Sequence, residues 1–315
     1  MFSFLKKKED PTNEVPAWAS FFTAKEYSVF MKHVDSYFHK LNVEYIIEDG
    51  AVSVGENSYG FALLGLHNIA QMCKQADLKN YGDLIADHFN SMSRINLFQK
   101  EFDDMAADFE KVGKYIAVRL FDTEYVSHLE EENRVTRNFA EDIVAMLVFD
   151  QPDSIVNIKP EQIVPWGKTV DELFEIGRGN VKNSYPVNVK EEKVGDHMIW
   201  FVMADHSYVS SFVFDIADYP QVVGSYGSLV SIPNRHTVLA YPIDSLEVLG
   251  ALNGMLYLTS RMYEDGPGSI TDKLYWYKDG QIINLPHRRE DGKLIFAPPQ
   301  IFVDVLNLMG ETKSE

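Results

Sequence analysis

The triplet Asn234-Arg235-His236 contains the residue types in this sequence that are best suited to chemistry. Arginine presents a planar fork of N–H donors to a carboxylate or phosphate, and histidine exchanges a proton near neutral pH. The same polar residues also suit a turn, because apolar runs predicted as strands flank them at 229–232 and 237–241. The pattern therefore predicts either a site at a strand end or a hairpin turn, and the turn is the favoured interpretation.

Two more residues extend this triplet into a candidate catalytic site. His206 follows the apolar run 198–204, inside a segment Asp-His-Ser that has three residue types of a hydrolase triad. Adjacent residues do not generally reach triad geometry, so that segment favours a turn. Asp215 follows a predicted strand at 211–214, where a carboxylate serves either chemistry or a turn. The enzyme hypothesis is a hydrolase-like site in one cleft lined by Arg235, His236, His206 and Asp215.

Established nucleotide-binding and catalytic signatures are absent from the sequence. It has no G-x-x-x-x-G-K-[ST], no G-x-G-x-x-G after a strand, no H-E-x-x-H and no G-x-S-x-G. Its single cysteine, Cys73, lies in an apolar stretch and is predicted to be a small buried hydrophobe. One cysteine allows neither an internal disulfide nor a multi-cysteine metal site. We predict no cofactor and no metal.

The charge balance indicates which partners the chain attracts. The formal net charge is -18 at pH 7, which disfavours nucleic acid and anionic membranes and favours a cationic protein. A helical apolar stripe is predicted over 95–112, and its other face is acidic. Partner-binding candidates on that face are Glu101, Asp104 and Asp108. A solvated helix surface is the alternative interpretation of the same residues.

These observations favour a non-enzymatic binding protein over an enzyme. We expect this protein to hold a basic protein partner through its acidic surface. More specifically, we expect it to be an immunity or adaptor protein. The alternative is an enzyme of unrecognised, hydrolase-like type around Arg235 and His236. The apolar runs are far shorter than a membrane span, and the first ten residues lack the order of a secretory signal. We predict a cytoplasmic location.

Local signals predict an α+β fold. Thr23 and Thr169 each stand three residues before a glutamate, which is the pattern of a helix capping box. Asp-Gly pairs at 49–50 and 279–280 separate short apolar runs and predict tight hairpins. Predicted helices and hairpins alternate along the chain. This alternation predicts mixed or antiparallel sheets with hairpins, packed by amphipathic helices. The predicted organisation is a flexible lead-in at 1–20, an N-terminal α+β region at 21–112, a central α+β domain at 113–265, and C-terminal hairpins with a short helix at 266–315.

Three stretches of the chain resemble the YtpQ-like family of uncharacterised bacterial proteins. They are Asp142–Asp150, Trp166–Leu173 and Leu229–Arg235, and the resemblance spans about 115–245. That family often has an acidic residue after the arginine, where this chain has His236. The resemblance implies the fold neighbourhood of a small, stand-alone, intracellular bacterial protein, and it implies no activity.

Overall fold

A computed structural model describes residues 15–265, 268–290 and 293–311. Helices make up 46% of the described residues and strands 27%, in antiparallel sheets with several helices, which confirms the predicted α+β class. Contacts divide the chain into two compact units, Met1–Met105 with Pro152–Ser154, and Ala106–Gln151 with Ile155–Glu315. The predicted lead-in over 1–14 and the predicted turn residues Asp291 and Gly292 lie outside the described residues.

The first unit packs helices against a small antiparallel sheet of order β1-β2-β3. The predicted hairpin forms at Asp49 and Gly50, whose φ values of 48° and 75° suit a tight turn. The buried core of the first unit includes Phe30, Phe38 and Cys73, and burial raises the pKa of the Cys73 thiol to about 11. The elements are α1 (Ala24–Lys40), β1 (Tyr45–Glu48), β2 (Ala51–Val54), β3 (Leu63–Gly65), α2 (His67–Lys74) and α3 (Tyr81–Met105).

Helix α1 begins at the predicted capping box. The Thr23 hydroxyl accepts from the Glu26 amide at 3.3 Å, and the Glu26 carboxylate accepts from the Thr23 amide at 2.7 Å. Lys74 of α2 donates to the same carboxylate at 2.8 Å. The hydrogen bond from Lys74, followed by the one from the Thr23 amide, lowers the pKa of Glu26 from 4.5 to about 2. The charged form of Glu26 therefore stabilises the start of α1.

Glu26→Gln is expected to lower the free energy of unfolding by about 1 kcal/mol at pH 7, since glutamine keeps the cap geometry and loses the charge. A carboxylate whose pKa is lower in the folded state than in the unfolded state stabilises the fold at a pH above its unfolded-state pKa. This stabilisation is lost as the pH falls through the folded-state pKa. The difference between the wild type and Glu26→Gln should therefore shrink as pH falls from 4.5 towards about 2. Denaturant melts at pH 7 and pH 3 measure it. A difference that is constant with pH would contradict the assignment.

The elements that follow α3 build three further sheets. The first has order β4-β6-β5 with β7 paired to β6, the second has order β13-β12-β10-β11-β9-β8, and the third is β14-β15. The elements are α4 (Phe109–Val112), β4 (Ile116–Asp122), α5 (Thr123–Ser127), β5 (Thr136–Asn138), β6 (Ile143–Gln151), β7 (Ser154–Asn157), α6 (Pro160–Ile163), α7 (Val170–Ser184), β8 (Asn188–Val194), β9 (His197–Met203), β10 (Ser228–Asn234), β11 (Thr237–Pro242), α8 (Val248–Asp265), β12 (Leu274–Lys278), β13 (Gln281–Leu285), β14 (His287–Glu290), β15 (Lys293–Phe296) and α9 (Gln300–Glu311).

Two sequence predictions differ from the structure. The run 211–214, predicted as a strand, belongs to the 3₁₀ helix Val209–Phe214, and the Ser211 hydroxyl donates to the Val118 carbonyl of β4 at 2.9 Å. A run of four residues, three of them apolar, is too short for its period to separate a strand from a helix. The hydrogen bond from Ser211 to Val118 accompanies the helical form. The stripe predicted over 95–112 is broken, because α3 ends at Met105 and Asp108 caps the separate helix α4.

Helix α7 approaches β4 closely at one glycine. A Cβ on Gly177 would lie 3.0 Å from the Ala117 carbonyl carbon and 3.0 Å from the Val118 Cγ2. A Cβ on Gly179, in the same helix, would meet nothing within 4 Å. The Asn180 side chain adds hydrogen bonds to the carbonyls of Gly113 at 2.9 Å and Ile116 at 2.8 Å. Glycine at position 177 therefore sets the distance between the helix and the strand.

Gly177→Ala is expected to lower the free energy of unfolding by about 1–2 kcal/mol, because the new methyl group pushes α7 away from β4. Gly179→Ala is the matched control and is expected to raise it by up to about 1 kcal/mol, since alanine favours a helix. Urea denaturation measures the free energy of unfolding of both variants and of the wild type. Equal effects of the same sign would contradict the close approach at Gly177.

The longest helices are polar on part of their surface. α3 has 25 residues and α8 has 18. Across the described ranges, no helix joins the length and the apolar character that a bilayer crossing requires.

Candidate functional site

Arg235 and His236 form the predicted hairpin turn between β10 and β11. Asn234 pairs with Thr237 across this turn. The Asn234 carbonyl oxygen Oδ1 accepts from the His236 amide at 2.9 Å, and its Nδ2 donates to the Met262 carbonyl at 3.0 Å. Asn234 thus fixes the turn, and both Arg235 and His236 are half-buried.

His206 is held by neighbouring backbone at both ring nitrogens. Its Nδ1 accepts from the Tyr208 amide at 3.2 Å, and its Nε2 lies 3.0 Å from the Pro186 carbonyl oxygen. Since a carbonyl only accepts, Nε2 is the donor in this contact. Its ring also packs on Tyr185 at 5.0 Å between centroids. In this arrangement both ring nitrogens are occupied.

Asp215 is buried and paired with α7. Its Oδ1 accepts from Arg178 Nη2 at 2.9 Å and from Arg178 Nε at 3.2 Å. Lys182 Nζ lies 3.4 Å from the same oxygen and also pairs with Asp218. These contacts tie α7 to the segment after the 3₁₀ helix, so the carboxylate of Asp215 has a structural role.

The four catalytic candidates do not share a hydrogen-bond network. Within the described part of the chain, no hydrogen bond or ion pair joins Arg235 or His236 to His206 or Asp215. Nor do three or more histidine, cysteine, aspartate or glutamate side chains gather there in a way that could hold a metal ion. The geometry gives each candidate a separate set of partners.

A buried cation lies in β4 of the second unit. It is Arg119, which is 5% exposed. Its Nε and Nη2 have no hydrogen-bond partner among the described residues. The guanidinium lies 5.5 Å from the ring centroid of Phe121 and 5.5 Å from that of Tyr208. Aromatic faces attract a cation, yet they leave the in-plane N–H donors of arginine unsatisfied.

The side chains beside Arg119 are organised by Asp150, which follows the buried run of β6. The Tyr208 hydroxyl donates to Asp150 Oδ1 at 2.9 Å, and the Tyr185 hydroxyl donates to Asp150 Oδ2. The two tyrosine rings stack at 4.5 Å between centroids. Burial is the main cause that raises the pKa of both phenols, and the nearby carboxylate of Asp150 is the second cause. The pKa of Tyr185 rises to about 12, and that of Tyr208 rises further. Both phenols therefore stay protonated and donate.

Arg119 has a second cation near it. Burial is the main cause that lowers the pKa of Arg119, and the positive charge of Arg235 is the next. Arginine nonetheless remains charged, because its ordinary pKa is far above neutral. The Arg235 guanidinium lies over Gly268, where a Cβ would stand 1.8 Å from Arg235 Nε. The cluster Arg119, Arg235, Tyr208 and Asp150, called the Arg119 cluster below, therefore has two cations and a carboxylate already occupied by phenols.

Of these residues, Arg235 was predicted from the sequence, and Arg119, Asp150, Tyr185 and Tyr208 were not. A signal for Arg119 is present, since it is the charged residue within the apolar run of β4. Asp150 likewise follows seven apolar residues of β6. The meeting of these strands with the tyrosines depends on the tertiary fold.

The acidic candidates are divided between the two units. Glu101 and Asp104 are exposed on α3, in the first unit. Asp108 belongs to the second unit, where its carboxylate accepts from the Glu110 amide at 3.2 Å and pairs with Lys111 at 3.2 Å. Asp108 thus serves as a helix cap, whereas Glu101 and Asp104 have no ion pair among the described residues.

Comparison with known proteins gives short matches only. No protein-family profile matches the chain, and no solved structure matches it. A 78-residue stretch is 28% identical to protein translocase subunit SecA of Thermosipho melanesiensis, covering 25% of this chain and 9% of that protein. A 122-residue stretch is 25% identical to the SecA of Thermosipho africanus, covering 36% of this chain and 14% of that protein. The chain thus spans a small part of these relatives.

Proposed function

We propose that the protein is a non-enzymatic, cytoplasmic binding protein that holds a basic protein partner through an acidic surface, in the manner of an immunity or adaptor protein. The observation that carries this proposal is a row of exposed carboxylates along one side of α3. The row, called the α3 stripe below, consists of Asp83, Asp87, Glu101 and Asp104.

Helical spacing supports the α3 stripe as one surface. Residues three or four apart lie on the same side of a helix, and eighteen residues are five full turns. These rules align all four carboxylates, and Arg94 and Leu97 fall between them. Arg94 pairs with Asp153 at 3.0 Å, which offsets its charge, and Leu97 is 47% exposed. The stripe therefore combines a net negative charge with an exposed apolar side chain, which suits a basic protein.

A cleft of about 290 Å³ adjoins the stripe. Its lining includes Leu97, Phe98 and Glu101. Protein interfaces often place an apolar anchor in a pocket inside a polar rim. The cleft gives a basic partner such an anchor position beside Glu101.

The contacts of His206 and Asp215 in the second unit do not support the alternative of a hydrolase-like site. His206 uses both ring nitrogens in contacts with backbone, and Asp215 is paired with α7. A hydrolase needs a nucleophile, a base and an orienting group within hydrogen-bond reach. Among the described residues, these contacts do not bring such a set of groups together around His206 and Asp215.

Affinity capture from a native cell extract, at low and high salt and read by mass spectrometry, tests the proposal. The wild type is expected to retain a basic protein at low salt and to release it at high salt, because exposed charge pairs are screened. Glu101→Lys with Asp104→Lys is expected to lose that protein at both salts, since like charges then face each other.

The matched control is Glu132→Lys with Glu191→Lys. Both residues are exposed and lie outside α3, so the net charge changes equally. The control should retain the partner. Retention by the Glu101→Lys, Asp104→Lys variant, or equal loss in both variants, would reject the α3 stripe as the binding surface.

A further inference from the structure

We propose that the Arg119 cluster is a binding site for a small carboxylate, with Arg119 as its principal ligand and Arg235 as the second cation. This site lies in the second unit and is independent of the α3 stripe. It rests on a buried charged side chain, two of whose nitrogen donors, Nε and Nη2, have no hydrogen-bond partner among the described residues.

The two free donors of Arg119 belong to one edge of the guanidinium. Nε–H and Nη2–H point in parallel within the plane of the group, and this edge matches the two oxygens of a carboxylate. A buried charge without a partner destabilises a fold. Breaking a buried ion pair therefore costs far more free energy than breaking an exposed one. The edge is therefore suited to an anion that arrives with two oxygens in one plane.

The walls of the site favour a flat group. Phe121 and Tyr208 each stand 5.5 Å from the guanidinium carbon, so aromatic rings occupy its surroundings. Tyr208 is itself fixed by its hydrogen bond to Asp150 at 2.9 Å and by stacking on Tyr185. Two aromatic rings next to the fork suit a flat carboxylate better than a tetrahedral phosphate.

Charge favours an anion as well. Burial, followed by the positive charge of Arg235, lowers the pKa of Arg119. Among the described residues Asp150 forms no ion pair with Arg119, and its two oxygens accept hydrogen bonds from the phenols of Tyr185 and Tyr208. Two guanidinium groups without a paired carboxylate repel each other. An added anion removes this repulsion, so binding gains from both cations.

Access and size limit the ligand to a small molecule. Arg119 is 5% exposed, which excludes a folded protein surface. Arg235 is half-buried, and the ring of Tyr125, stacked on Phe121 at 5.3 Å, is 46% exposed. These two side chains mark the solvent edge of the site.

Thermal unfolding of the full chain tests the site, with sodium acetate, sodium succinate and sodium phosphate added at an ionic strength matched by sodium chloride. Acetate and succinate are expected to raise the Tm saturably above the chloride reference. Arg119→Met should abolish the rise, and Arg119→Lys, which keeps the charge without the fork, should lose most of it. Arg235→Gln should weaken succinate binding at least about tenfold, by loss of one cation.

Arg288→Gln removes a surface arginine, 61% exposed, and serves as the control that keeps the full rise. If Arg119→Met fails to fold, Arg119→Lys and Arg235→Gln still decide the question. An equal rise in wild type and Arg119→Lys, or an unaltered succinate affinity in Arg235→Gln, would overturn the proposal. A phosphate rise equal to that of the carboxylates would overturn the choice of a planar ligand.

Discussion

Gly227→Ala is expected to lower the free energy of unfolding by about 4 kcal/mol, the largest effect we predict for a single methyl group. Gly227 precedes β10 with a φ of 88°, which L residues rarely adopt. A Cβ there would lie 2.1 Å from the Tyr277 carbonyl oxygen and 2.9 Å from Trp276 Nε1. Both neighbours belong to β12, so relief requires the sheet itself to move.

Gly280→Ala separates the backbone cost from the clash. Gly280 has a similar φ of 81°, and a Cβ at this position would meet nothing within 4 Å. Its substitution is expected to cost about 1 kcal/mol, from the positive φ alone. Guanidinium denaturation of both variants measures the difference. Equal losses would show that the contact between Gly227 and β12 is not tight.

Asp150→Ala is expected to lower the free energy of unfolding by about 3 kcal/mol, since the buried Tyr208 and the half-buried Tyr185 lose the charged acceptor of their hydroxyl groups. Tyr208 is 3% exposed, so water cannot readily replace Asp150. Asp150→Asn retains one acceptor oxygen and should cost less. Chemical denaturation of both variants gives the comparison.

A double-mutant cycle tests the cause of this loss. Tyr208→Phe removes the hydroxyl that donates to Asp150 at 2.9 Å. The double variant Asp150→Ala, Tyr208→Phe should therefore lose about 1–2 kcal/mol less than the sum of the single losses. Strict additivity would show that Asp150 stabilises the fold by another route.

Local sequence signals predicted the helices and hairpins that depend on neighbouring residues. The capping boxes at Thr23 and Thr169 and the Asp-Gly turns at 49–50 and 279–280 are all present. Such signals work because a cap or a positive φ is decided within a few residues. The run 211–214 was wrongly predicted as a strand and belongs to the 3₁₀ helix Val209–Phe214, since three apolar residues in a row carry no period that separates a strand from a helix.

The site was predicted less well, because its parts come from distant strands. Arg235 was found through its polar triplet, but Arg119 stands alone in an apolar run and Asp150 closes another. Only the fold places Tyr208 between them, 58 residues along the chain from Asp150. A single charged residue inside a run predicted as a buried strand is therefore the sequence signal for this site, because charged residues are almost never fully buried without a partner.

The measurement that tests the proposed function most directly is carbodiimide labelling of carboxylates, read residue by residue with and without the captured basic protein. The proposal predicts protection at Asp83, Asp87, Glu101 and Asp104 and unchanged labelling at Glu132 and Glu191. Unchanged labelling along α3, with protection elsewhere, would contradict the claim that this protein holds its partner through the α3 stripe.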